Sequence, residues 1–167
     1  ERARVVGGNI KTSSSERPLI RKDGAPLWVN RNLSLVRDPA GLDIALSGVP
    51  EFAAKPGATI QPHHQSFIRL MERVEDFERA WTAAQSGELP PAPLIDVVIP
   101  TALDESLAPP GCHVMSLLCQ QYPYQLAGGR SWDDVREPEA QRISDTVERH
   151  VPNIRRIMVG HQALSPL

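Results

Sequence analysis

The chain holds only two cysteines in 167 residues, too few for a disulfide framework, so a reducing cytoplasm is the expected setting. It has no excess of basic charge. Lys and Arg number 18 against 20 Asp and Glu, which makes nucleic acid a poor choice of partner. No apolar run approaches the roughly 20 residues that span a bilayer, the first ten residues lack the apolar core of a signal peptide, and nothing indicates membrane association. No spaced-glycine fingerprint, phosphate loop, nucleophile elbow or His-Glu-x-x-His motif is present. Read from its residues, the chain carries no self-sufficient catalytic site.

What is plentiful is proline, 16 residues of it, which dictates short, punctuated segments. The apolar fraction of 41% and charged fraction of 23% suit one folded domain. The chain opens on Glu1 rather than Met and ends on Ser165-Pro166-Leu167 without a cap or polar tail, which raises the expectation of a piece of a longer protein.

Arg4–Val6 reads as a strand end broken by Gly7-Gly8-Asn9, a tight turn rather than a phosphate cradle because no periodic helix follows. The polar stretch Lys11–Asp23 reads as a loop, and Pro26–Val36 as a hairpin around Asn30-Arg31-Asn32. Leu42–Leu46, Leu94–Ile99, Cys112–Cys119 and Ile157–Leu164 read as strands, with Cys112–Cys119 central. Val74, Phe77, Trp81 and Ala84 recur at helical spacing. Pro138 is placed in the first turn of a second helix running to about His150, with Ile143, Val147, Val151 and Ile154 on one face. The sum is an α+β fold: a mainly antiparallel sheet with helices packed on one face.

Several groups could carry chemistry. Cys112 and Cys119 are seven apart, so on one strand they point to opposite faces and cannot share a metal or pair with each other. Buried free thiols are the simpler account; the other is a cysteine-dependent enzyme using either one with His113. His63 and His64 diverge as adjacent residues, which disfavours joint capture of one metal, although one could line a pocket. His150 suits a helix C-terminus. Asp133-Asp134 suit a helix start, and Asp104-Glu105 a solvated loop. No metal site emerges.

One run is more specific. Ile99-Pro-Thr-Ala-Leu-Asp-Glu-Ser-Leu-Ala-Pro-Pro-Gly-Cys-His-Val-Met-Ser-Leu117 resembles a signature of the phytoene desaturase-like flavoproteins, closest to the branch of pyridine nucleotide-disulfide oxidoreductase domain-containing proteins. The likeness continues through Gln121–Tyr124, Leu126–Gly129, Trp132-Asp133, the helix Arg142–Pro152 and Val159–His161 to Leu164–Leu167. Upstream it includes Leu42–Ser47 and Pro62–His64, while residues 1–41 match poorly.

The resemblance implies an FAD-dependent oxidoreductase with an FAD domain and a substrate domain interleaved along the chain. Residues 42–167 would be most of the substrate domain. Residues 1–41 would be a linker or insertion, with Arg4–Val6 a strand passing to the FAD domain of the same full-length chain. The flavin-binding segments would lie elsewhere, leaving this portion inactive by itself. FAD would carry the hydride chemistry, and this portion would bind a small apolar substrate, with Tyr122, Tyr124, Trp132, His63 and His64 as candidate lining residues. The resemblance places no catalytic residue on a numbered position. A protein-interaction module without enzymatic activity is the alternative.

Overall fold

A computed structural model describes residues 2–6, 10–20, 26–34 and 40–166. The first three segments are strands: β1 (Arg2–Val6), β2 (Ile10–Ile20) and β3 (Pro26–Ser34), paired antiparallel in that order. Two expectations fail here. Residues 11–20 of the expected loop lie within β2, and the expected hairpin at Asn30–Asn32 is one uninterrupted strand, paired with β2 from Thr12↔Ser34 to Ile20↔Pro26. Polar strands rich in Ser and Asn lack the apolar alternation by which a strand is distinguished from a loop. Gly7-Gly8-Asn9 lies outside the described residues.

From residue 40 the chain builds a five-stranded sheet. Its strands are β4 (Ala40–Leu46), β5 (Ile68–Leu70), β6 (Leu94–Val98), β7 (His113–Gln120) and β8 (Met158–Leu164). The order is β5-β6-β7-β4-β8, and every neighbouring pair is antiparallel. Pro100 stops the β6 run with a 3-10 turn over Pro100–Ala102. The expected central strand is indeed the middle one, but it begins at His113, leaving Cys112 just ahead of it.

The helices are α1 (Val74–Gln85), α2 (Trp132–His150) and the short α3 (Ile154–Ile157). In α2 the expected start at Pro138 is corrected. Ser131 Oγ accepts the Asp133 N–H at 3.2 Å as the N-cap, and Asp133 and Asp134 occupy the first turn, where the helix dipole favours acids. Pro138 therefore sits inside the helix and forgoes one backbone hydrogen bond. The helix tolerates this because its next residues are anchored below by packing.

Period-2 alternation divides the sheet. Leu42, Ile44 and Leu46 of β4, Ile95 and Val97 of β6, and Met115, Leu117 and Cys119 of β7 all point to one face. On that face they meet Ala140, Ile143 and Val147 of α2, together with Val151, Ile154 and Ile157. α2 crosses the sheet, joined to the β8 edge through His161 and Glu137 and sharing a cleft with Leu70 of β5. The fold is α+β, as expected.

α1 behaves differently. Its inward residues are Ala80 and Asp76, while Val74, Phe77 and Trp81 are 73%, 39% and 53% exposed. Asp76 accepts the Arg73 N–H at 3.1 Å and the Arg79 guanidinium, fixing the helix start and turning the apolar stripe outward. No helix among the described residues is long and apolar enough to cross a membrane.

Candidate functional site

The face of the sheet opposite α2 carries Val98, Val114, Ser116 and Leu118, with Leu118 37% exposed. Into this row the chain sets a buried carboxylate. Asp96 on β6 is 2% exposed and faces Arg69 across one strand gap and Leu118 across the other. Arg69 clasps it through Nε at 2.7 Å and Nη2 at 3.1 Å, and Gln120 Nε2 also donates to it. The two-pronged clasp raises the Arg69 pKa through its hydrogen bonds to, and attraction for, Asp96. Half of the Arg69 side chain stays exposed, so its remaining N–H donors face outward beside an apolar surface. Asp96, Arg69 and Gln120 were not singled out in the sequence. A lone charge inside the apolar run Leu94–Ile99 was the available signal, since a buried charge requires a partner.

The expected lining residues fall into two groups at opposite ends of β7. Eight residues of strand separate them by roughly 25 Å. At the Gln120 end stand Tyr122, Tyr124 and Trp132. The rings of Tyr122 and Trp132 are 6.1 Å apart, and Trp132 Nε1 donates to the carbonyls of Pro123 and Tyr124, both at 3.2 Å. The Tyr122 hydroxyl donates to Glu139, a carboxylate only 5% exposed. Arg142 closes that network, reaching Glu139 through Nε at 2.8 Å and Nη2 at 2.6 Å and the carbonyls of Pro90 and Pro91 at 2.7 and 3.1 Å. Burial raises the Tyr122 pKa, with Cys119 and Glu139 adding to it, so the phenol keeps its proton. Burial opposes the charge on Arg142, but its hydrogen bonds to and attraction for Glu139, with Tyr122 adding to them, together outweigh that and raise its pKa. Tyr124 alone of this group is openly exposed, at 65%. Nearby, Gly87 adopts φ 74° and its carbonyl accepts the Ala127 N–H at 2.8 Å; a Cβ there would lie 2.8 Å from that nitrogen.

At the His113 end lies the histidine pair. His64 is fully buried and pins both ends of the loop from Pro50 to Gln61. Its Nδ1 accepts the Gln61 N–H at 2.9 Å, and its Nε2 donates to the Pro50 carbonyl at 2.8 Å. His63 stacks on it at 3.9 Å and meets Phe52 edge-on at 5.6 Å. Both His63 ring nitrogens are enclosed without a hydrogen-bond partner. Burial lowers its pKa, and His64 and Lys55 push the same way. His113 Nδ1 lies 3.2 Å from Thr101 Oγ1, which accepts the Val114 N–H at 3.1 Å. Burial lowers the His113 pKa too, reinforced by His64 and opposed by Glu105.

The remaining candidates have structural roles. Cys119 is fully buried, and burial raises its pKa, so it is a poor nucleophile. Cys112 lies ahead of the strand, at the other end from Cys119, and is half-buried. Asp104 accepts the Ser106 N–H at 3.0 Å, and the Ser106 hydroxyl and N–H lower its pKa. A separate cleft of about 230 Å³ opens between Leu70, Leu94, Arg73, Asp76, Thr146 and Arg149, away from every residue expected to line a site. Among the described residues no three His, Cys, Asp or Glu side chains converge to hold a metal.

No protein-family profile matches the chain. It is, however, homologous to two curated proteins called pyridine nucleotide-disulfide oxidoreductase domain-containing protein 2. With that of Rattus norvegicus it is 37% identical over 132 residues, which is 75% of this chain and 22% of the relative. With that of Mus musculus it is 36% identical over the same extent. The chain thus spans about a fifth of the length of the relatives it matches.

Proposed function

We propose that this chain is the substrate-facing portion of an FAD-dependent oxidoreductase acting on an apolar substrate, with the flavin held by other segments. The kinship over 132 residues with proteins named for an oxidoreductase domain carries the reading. The architecture supports it. One face of the five-stranded sheet is sealed by α2, and the other presents Val98, Val114 and Leu118 as an apolar floor. Arg69, held by Asp96, which Gln120 also braces, offers the floor one fixed polar donor for orienting a ligand.

A flavin cradle does not fit the described residues. Dinucleotide sites use a parallel strand–turn–helix unit, and every strand pairing here is antiparallel. Of the expected lining residues, Tyr124 has the surface to meet a ligand and Trp132 braces the loop that carries it. Tyr122, His63 and His64 hold the two ends of the site in shape.

The test has two parts. The 167-residue chain, titrated with FAD and followed by flavin fluorescence, is expected to show neither stoichiometric binding nor turnover; both together would overturn the division of labour. In a longer gene product containing it, Leu118→Asp is expected to raise the KM for a carotenoid about tenfold while FAD content stays constant. An unchanged KM removes the floor from the site. A cysteine-based reaction through Cys112 or Cys119 with His113 predicts rapid labelling of that thiol in the native protein. We expect both thiols to react slowly with a disulfide reagent before unfolding, Cys119 more slowly than half-buried Cys112, and both to react rapidly afterwards.

A further inference from the structure

We infer that the apolar ridge of α1, formed by Val74, Phe77 and Trp81, is a docking surface for another part of the same polypeptide, in a long form such as its relatives have. The ridge is a stripe at i, i+3 and i+7 on a twelve-residue helix, and all three side chains lie open. Their exposed area is roughly 300 Å², given the sizes of such side chains. Covering it would bury roughly 600 Å² over both partners. That is half or less of what a stable complex of separate proteins buries, but it falls at the lower end of contacts between domains of one chain. A tether supplies an effective concentration near the millimolar range, which lets so small a contact persist. The relatives provide the length, since the matched region is 22% of each.

Charge narrows the choice further. Glu78 borders the ridge, Glu75 lies in the groove beside it with Arg79, whose charge Asp76 balances, and exposed Glu72 and Arg73 precede it, so the surroundings keep an acidic excess. An acidic flank repels the anionic surface of a membrane and favours an apolar segment rimmed by Lys or Arg. The inference shares with the proposed function only the premise of a longer polypeptide. It needs neither flavin nor substrate.

The experiment uses the full-length gene product in which Cys112→Ser removes the half-buried thiol. One variant adds Val74→Cys on the ridge, and another adds Thr82→Cys off it. Labelling rates are each divided by the rate of the same variant in denaturant. Position 74 is expected to react at least tenfold slower than position 82 at every protein concentration, and adding Trp81→Ser is expected to restore most of its rate. Equal rates at the two positions overturn the inference. So does protection that grows with protein concentration, which marks a second copy, or protection that needs phosphatidylcholine–phosphatidylserine vesicles, which marks a membrane. A gene product with no chain beyond these residues also overturns it. Loss of flavin or activity with protection intact would count against the proposed function and leave this inference standing.

Discussion

α1 and α2 carry the same kinds of side chain at the same helical spacings, yet one turns its apolar stripe to solvent and the other into the core. In α2, Ile143 and Val147 are 3% and 0% exposed, and in α1, Phe77 and Trp81 are 39% and 53% exposed. Each helix also bears an acid followed three residues later by an arginine, Asp76–Arg79 in α1 and Glu139–Arg142 in α2. Spacing determines that a segment can be a helix with two faces. Which face turns inward depends on what the rest of the chain offers. α2 lies across a ready-made apolar sheet. α1 has a short edge strand and a polar cleft beside it, and small Ala80 with the capping Asp76 suffices for that contact.

The acid–arginine pairs give the sharpest way to break the comparison. Glu139→Ala would leave the Tyr122 hydroxyl and the Arg142 guanidinium without their shared acceptor, and removing one member of a buried pair costs about 3–5 kcal/mol. Asp76→Ala loses a helix-start bond and an ion pair to an arginine that is 57% exposed, a loss of about 1–2 kcal/mol. Chemical denaturation of the two variants measures both. Equal losses would mean that the Glu139 network is no more than a surface pair.

The stripes come next. Ile143→Ala removes a buried side chain from the contact between α2 and the sheet and is expected to cost about 3 kcal/mol. Phe77→Ala in the 167-residue chain is expected to cost less, about 1 kcal/mol, because 39% of the residue is already exposed where Ile143 is buried. A loss at Phe77 equal to that at Ile143 would show that the α1 stripe is covered within these residues.

The same contrast explains what could be read without the fold. Four of the five strands of that sheet were legible, because alternating Leu42, Ile44 and Leu46 and the apolar residues around Asp96 at Leu94–Val98 mark buried faces, whereas β5 is three residues long and too short to show a pattern. α1 was legible as a helix but not in its orientation. Strand β2 was not legible, since a Ser-rich stretch pairs through its backbone and shows no apolar signal. Of the site, Tyr122 and Trp132 were named as candidate lining residues without their ring contact, whereas Asp96, Arg69 and Gln120 lie 24 to 51 residues apart and meet only through strand register. The histidines adjacent in sequence concealed opposite roles, His64 bonded at both nitrogens and His63 at neither.

That last pair gives the smallest effect and a test by pH. The folded protein resists protonation of His63, because burial, His64 and Lys55 all disfavour its charge. An unfolded chain protonates histidine near pH 6.5. Above that value neither state holds the proton and stability is full. As the pH falls from 6.5 toward 5, the unfolded chain gains protons that the fold refuses, and stability declines. His113 adds in the same direction, with Glu105 working against it. His63→Phe keeps an aromatic ring against His64 and Phe52 and discards a buried N–H that has no acceptor. Its unfolding midpoint at pH 8 is therefore expected to equal or slightly exceed that of the unaltered protein. Its decline between pH 7 and pH 5 is expected to be visibly shallower, with the residue of the slope belonging to His113. An unchanged slope would place the acid sensitivity elsewhere and leave His63 as no more than a neutral ring in the packing at the His113 end of the sheet.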